Sequence, residues 1–223
     1  MADINDILLN YKNIHGNVKN IVDVGIQKST DFLINVFPEC HHDLFEPVIE
    51  YNSEILENYK NISHTLINKA VSNVNNIETI SIVERSPEFS DIVRTIEIEH
   101  ITLDSYFSKN NSGIAGLNTV VKLDVDGTEP LIIEGGRRFL SKVGLLIVEA
   151  NVNNIGRIIQ QVNLLNLSLW DIGSMRTYNN QLCECDLFFI NGVLRKPGEQ
   201  FELYPKNKEW DWKKYQARGY YDI

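Results

Sequence analysis

An open α/β fold with a mostly parallel sheet is the architecture this sequence predicts, because three apolar runs each end in a carboxylate. They are Val121-Lys122-Leu123-Asp124-Val125-Asp126-Gly127-Thr128-Glu129, Ile21-Val22-Asp23-Val24-Gly25 and Asp43-Leu44-Phe45-Glu46-Pro47. Strands buried on both faces read as near-continuous apolar runs, and in such sheets the ligand crevice lies outside the carboxyl ends. Between the runs lie apolar stripes of helical period, as a sheet covered on both faces requires.

Ile4, Ile7, Leu8 and Tyr11 fall at i, i+3, i+4 and i+7, which predicts an amphipathic helix over residues 1–18, ended near His15-Gly16-Asn17. Asn20 to Val24 is strand one. Thr30 to Phe37 is the first crossover helix, stopped by Pro38. His42 to Phe45 is strand two, and Tyr51, Ile55, Leu56 and Tyr59 stripe the next helix. Ile62 to Val71 reads as strand three. Ile77 to Ile101 has the β-branched alternation of a hairpin or strand extension, with Ser86-Pro87 as its break. Leu103 to Phe107 is a short helix, Asn110-Asn111-Ser112-Gly113 a loop, and Thr119 to Leu123 strand four. Pro130 suits the first turn of the helix that follows.

Gly135-Gly136 within that helical stretch costs about 1 kcal/mol each against alanine, so either the helix breaks there or another backbone comes too close for a Cβ. Val143 to Val148 is strand five, and Ile155, Ile158, Ile159 and Val162 stripe a further helix. Ser168 to Ile172 and Asp186 to Ile190 are a last, antiparallel pair joined by a loop.

At 223 residues, 43% hydrophobic and 23% charged, the chain has ordinary globular composition, and one domain over 1–223 is expected. A net charge of −9 without a basic stripe argues against nucleic acid, whose phosphates need clustered Lys and Arg. No secretory signal opens the chain, no apolar run is long enough for a membrane span, and three cysteines are too few for a disulfide framework. These features suit the cytoplasm. The aromatic tail from Phe201 to Ile223, with Trp210, Trp212, Tyr215, Tyr220 and Tyr221, admits a flap on the same chain, a substrate lid or a homodimer contact.

Asp23-Val24-Gly25-Ile26-Gln27-Lys28-Ser29-Thr30 is a depleted nucleotide fingerprint that keeps Gly25 alone of its glycines. Glu46 lies 23 positions after Asp23. That is near the separation of roughly 20 at which a second-strand acid reaches a ribose diol. Cys40-His41-His42 cannot converge three ligands from one strand, because residue 41 points opposite to 40 and 42. Cys183 and Cys185 lack a second ligand pair, so no metal is expected.

The succession Val22-Asp23-Val24-Gly25, Phe37-Pro38, Phe45-Glu46-Pro47, Asn68-Lys69-Ala70-Val71-Ser72, Thr102-Leu103-Asp104, Lys122 to Glu129, Gly135, Leu140 and Val148-Glu149 resembles the FkbM family of S-adenosylmethionine-dependent methyltransferases, over nearly the whole chain. The resemblance implies a class I methyltransferase fold, a Rossmann-like three-layer sandwich. Its seven-stranded, mostly parallel sheet would be ordered 3-2-1-4-5-7-6, with the last strand antiparallel. It also implies S-adenosylmethionine as cofactor. Asp23 and the turn of Gly25, Ile26, Gln27 and Ser29 would receive the methionine part. Glu46 and Pro47 would meet the ribose, and Asn68, Lys69 and Ala70 the adenine. Asp124 would face the amino group and the transferring methyl. Ile26, Gln27 and Ser29 stand where the family usually has alanine, asparagine and a second glycine, and Asp126 where it has glutamate.

Related families tailor natural products and polysaccharides, which implies O-methylation of a small-molecule or glycan hydroxyl. Such an acceptor must lose a proton, and Asp124 and then Glu149 are the candidate catalytic bases. Asp124 could instead cap the Gly127 turn, and Glu149 could be a cap or salt-bridge residue. The alternative from another class is a degenerate, non-catalytic scaffold whose cleft is plugged by Ile26 and Gln27.

Overall fold

Residues 3–84, 92–109 and 116–194 are described by the structure, a computed structural model. Helix α1 (Ile4–His15) starts at Asp3, whose side chain accepts from the Asn5 amide, and buries Ile7, Leu8 and Tyr11. Then follow β1 (Asn20–Val24), α2 (Asp31–Val36), β2 (His41–Phe45), α3 (Asn52–Asn58), β3 (His64–Ile67), β4 (Ala70–Val71), β5 (Asn76–Glu84) and β6 (Ile92–Ile101). The rest is α4 (Leu103–Lys109), β7 (Thr119–Leu123), α5 (Glu129–Gly135), α6 (Arg137–Leu140), β8 (Leu145–Asn151), α7 (Ile155–Asn163), β9 (Leu167–Tyr178) and β10 (Gln181–Asn191).

A seven-stranded sheet runs β3-β2-β1-β7-β8-β10-β9, and β4-β6-β5 form a separate three-stranded sheet. Counted without that insert, the order is 3-2-1-4-5-7-6. The pairings from β3 through β8 are parallel, while β10 is antiparallel to both β8 and β9.

Strand alternation divides the core between the two sheet faces. Val22, Val121 and Leu146 join the cluster under α5, α6 and α7, with Phe107 and Phe139 stacked at 4.0 Å. Their neighbours Ile21, Val120 and Leu145 point the other way, onto Leu8 and Tyr11 of α1 and Leu33 of α2. A smaller cluster seats α3 through Ile55 and Tyr59 on Leu44 and Ile26.

Several expectations need correction. The expected strand over 62–71 is two strands in different sheets, β3 and β4, because the chain turns at Asn68 and Lys69. The alternation over 77–101 is a true hairpin, β5 against β6, with β4 added parallel to β6. Leu56 is 50% exposed, since α3 has two turns only and Ile55 and Tyr59 suffice to seat it. β8 starts two residues late and reaches Asn151. β9 and β10 are far longer than predicted and meet in a tight turn at Asn179-Asn180, φ 50° and 62°, a conformation asparagine tolerates. At Gly135-Gly136 both expectations hold together. The helix breaks into α5 and α6, and a Cβ on Gly135 would lie 2.3 Å from the Ser72 carbonyl oxygen. The Ser86-Pro87 break, the loop at 110–113 and the aromatic tail lie outside the described residues.

Candidate functional site

Asp23, the last residue but one of β1, is fully buried, and the chain turns sharply at Gly25 just after the strand. Gly25 has φ +81°, and a Cβ there would fall 1.9 Å from the Asp124 carbonyl oxygen, so only glycine lets the ends of β1 and β7 meet. Gln27 also has positive φ, 53°. Its amide donates to Glu46 Oε2 at 2.9 Å, and the Val48 amide donates to Glu46 Oε1 at 2.9 Å. Glu46 therefore braces the turn from the end of β2. Burial raises its pKa, and the two amide donors oppose that shift. The Tyr59 hydroxyl lies 3.5 Å from Asp23 Oδ2, while Asp23 Oδ1 has no hydrogen-bond partner.

The β7 end is organised by Glu129. Its Oε1 accepts from the Val125 and Gly127 amides, both at 3.0 Å, and its Oε2 accepts from Asn154 Nδ2 at 3.1 Å. The Gly127 turn is thus capped by Glu129 and not by Asp124. Asp124 is free to pair with Lys122, whose ammonium lies 3.0 Å from Asp124 Oδ2 and 3.5 Å from Asp23 Oδ1.

Glu149, near the end of β8, lies beside Asp124. Burial and the negative charge of Asp124 push its pKa up to about 8. Arg176 of β9 approaches Glu149 Oε1 at 3.5 Å and also binds Glu184 of β10. Glu149 caps no described helix, and its ion pair with Arg176 is the salt-bridge role that the sequence also allowed. Asp186, opposite Glu149 in the β8–β10 register, also has a raised pKa through burial, opposed by a hydrogen bond with Ser174.

A polar cleft of ≈ 440 Å³ opens above the β1 and β7 ends, lined among others by Gly25, Gln27, Ser29, Lys122, Asp124 and Asp126. Its size is within the ordinary range of ligand pockets, about 300–1,000 Å³. A model of the methyltransferase FkbM domain matches residues 18–178. The chain belongs to the FkbM methyltransferase family. It is an S-adenosylmethionine-dependent enzyme. An uncharacterised protein of Listeria monocytogenes serotype 4b shares its fold at TM-score 0.50 and 11% identity, over 91% of this chain and 72% of that one. Magnesium protoporphyrin IX methyltransferase from Synechocystis PCC 6803, solved with bound S-adenosylmethionine, aligns at TM-score 0.49 and 9% identity, over 84% and 77% of the two chains. Precorrin-6y C5,15-methyltransferase from Geobacter metallireducens GS-15 aligns at 0.47 and 10% identity, over 84% and 87%. No curated protein matches significantly.

The cleft of this FkbM enzyme fits a cofactor with cationic amino and sulfonium groups, because acidic side chains line it and the buried Asp23 Oδ1 beneath it still has unused acceptor capacity. The structure brings Gly25, Gln27, Ser29 and Asp124 to the cleft, whereas Asp23 is fully buried and does not line it. Ile26 also borders it, yet is only 2% exposed and packs with Leu44 and Ile55, while Gln27 is exposed. Neither side chain is a plug. Ser29 turns its hydroxyl to Asp31 Oδ1 at 2.7 Å.

Glu46, Pro47, Asn68, Lys69 and Ala70 do not line this cleft. Asn68 donates to the Glu46 carbonyl at 2.9 Å, Lys69 pairs with Glu99 of β6, and Ala70 begins β4. Cys40 and His42 are buried and bond the carbonyls of Val18 and Phe37, while His41 meets Ser63 and Thr65. Among the described residues no three such side chains are grouped to hold a metal, and no helix is long and apolar enough to cross a membrane.

Sequence reasoning missed Lys122, Glu129 and Arg176. A cation within an otherwise apolar strand was a legible signal for Lys122, as was a glutamate two residues after the turn glycine for Glu129. Arg176 had none, since its partners come from other strands.

Proposed function

We propose that this methyltransferase transfers the methyl group to a hydroxyl of a small molecule or glycan. The carrying observation is the Asp124–Glu149 pair, two neighbouring carboxyls of which Asp124 lines the cleft. A hydroxyl nucleophile must give up a proton as it attacks, and an unprotonated carboxylate within hydrogen-bond reach of that hydroxyl can receive it.

Bound S-adenosylmethionine supplies a sulfonium-activated methyl group. Asp23 and the turn of Gly25, Ile26, Gln27 and Ser29 would hold its methionine part, and Asp124 its amino group. Glu46 with Pro47 would hold the ribose, through acceptor capacity left over from the Gln27 and Val48 amides. Asn68, Lys69 and Ala70 would border the adenine. The same-chain residues then orient the acceptor and take its proton. Positioning of the reacting atoms contributes the larger share of the rate, since a sulfonium methyl needs little further activation.

Calorimetry with S-adenosylhomocysteine tests the site, and a panel of sugars and hydroxylated small molecules with methyl-labelled cofactor tests the acceptor. Binding together with label recovered as an alkali-stable methyl ether is the expected result. No binding at millimolar S-adenosylhomocysteine overturns the site, and label recovered only on nitrogen or carbon overturns the acceptor class. The acidic surroundings of the cleft and the net charge of −9 support an acceptor other than nucleic acid.

A further inference from the structure

Every residue of β7 is buried, and the fourth of its five is Lys122, 4% exposed. A buried ammonium survives only when paired and hydrogen-bonded. The parallel register sets Lys122 directly beside Asp23 of β1, and Asp124 lies two positions on, along the same face of β7. One ammonium thus spans two strand ends. Burial opposes its charge, but Asp23 and Asp124 outweigh burial and the pKa is raised.

The groups around this row come from every neighbouring element. Tyr59, at the end of α3, faces Asp23. His42 of β2 and Glu46 just past it feel the charge of Asp23. Glu149 of β8 neighbours Asp124, Asp186 of β10 acts on Lys122, and Arg176 of β9 ties Glu149 to Glu184. Lys122 is the cation nearest Asp124 in this row, whereas Arg176 lies beyond Glu149.

We propose that Lys122 is a positioning residue acting through Asp124. By holding Asp124 Oδ2 while engaging Asp23, it fixes Asp124 against Glu149 and sets the pH at which the carboxyl pair gives up its proton. The inference rests on reading that pair as the acceptor of the substrate proton. Balancing the charge of Asp23 alone would be a purely structural role, and the two roles separate experimentally.

The test is a carbon-13 NMR titration of the side-chain carboxyls in the full chain, with Glu149→Gln to assign the Glu149 signal. Lys122→Met removes the ammonium. Asp23→Asn with Lys122→Met removes it without leaving Asp23 uncompensated, so it remains readable should the single variant fail to fold. Losing a cation this close should raise the upper titration midpoint of the pair by about one pH unit in Lys122→Met and by about half a unit in the double variant, where loss of the Asp23 charge works the other way. A midpoint within about 0.3 pH units of the unaltered protein in the double variant overturns the proposal and leaves Lys122 as a partner of Asp23 only. The titration needs neither cofactor nor acceptor, so its outcome is distinct from failure of S-adenosylhomocysteine to bind.

Discussion

Replacing Glu129 by alanine tests the architecture of the site most directly, because this one carboxylate holds the turn that follows β7. It is 1% exposed and accepts from the Val125 and Gly127 amides and from Asn154. The turn it holds contains Asp126 at φ 57° and Gly127 at φ 105°, conformations that need support from outside the turn. Each buried donor left without a partner costs about 1–3 kcal/mol. Water can reach part of this surface turn, so the three losses together should come to about 3 kcal/mol and not to their full sum. For a chain of this size that corresponds to a fall in melting temperature of about 6–12 °C. Glu129→Gln keeps an amide oxygen for the two backbone donors but cannot also accept from Asn154, and should lose only about 2–4 °C. Differential scanning calorimetry at pH 7 gives both values. Amide hydrogen exchange should show Gly127 losing protection in the alanine variant. An alanine variant that melts within about 2 °C of the parent, with Gly127 still protected, would refute this account of the turn.

Two further outcomes follow from the same geometry. Because Glu149 keeps its proton up to about pH 8 in the folded state, against an ordinary value of 4.5, the folded chain binds more protons than the unfolded chain between those limits, and stability falls as pH rises through that window. Glu149→Gln should therefore match the parent near pH 4 and exceed it above pH 8, by about 1–2 kcal/mol once solvent screening is allowed for. Parallel denaturant melts at the two pH values measure this, and an equal difference at both would count against it. Gly135→Ala places a methyl group 2.3 Å from the Ser72 oxygen and 2.7 Å from Asn73 Cα and should destabilise by about 1–3 kcal/mol, whereas Gly156→Ala, with no atom within 4 Å, should stabilise helix α7 by up to about 1 kcal/mol. Thermal melts of the two variants moving in the same direction would contradict the contact between α5 and the root of the inserted sheet.

The carboxyl-end geometry was legible in the chain because it depends on local patterning. Runs such as Val120-Val121 and Leu145 to Val148 read as strands buried on both faces, and the acid and glycine at Asp23-Val24-Gly25 and Asp124 to Gly127 mark where β1 and β7 stop. That is why β1 and β7 fall where predicted, to the residue, and why Asp23, Glu46 and Asp124 emerge at one edge. The Asn179-Asn180 turn escaped notice because asparagine pairs signal a hairpin far less strongly than Asn-Gly, so β9 and β10 were read as short strands around a loop.

What tertiary structure alone decided is pairing across strands. Nothing local tells that Lys122 sits between Asp23 and Asp124, that Glu149 neighbours Asp124, or that Arg176 pairs with Glu149. Each of these contacts joins strands brought together only by the sheet order. Nor could the sequence say that Glu46 is engaged by the Gln27 and Val48 amides. The reason is physical: strand identity follows from the chain's own apolar pattern, whereas the charge state and orientation of a buried carboxylate depend on whichever neighbours the completed fold sets within a few ångströms of it.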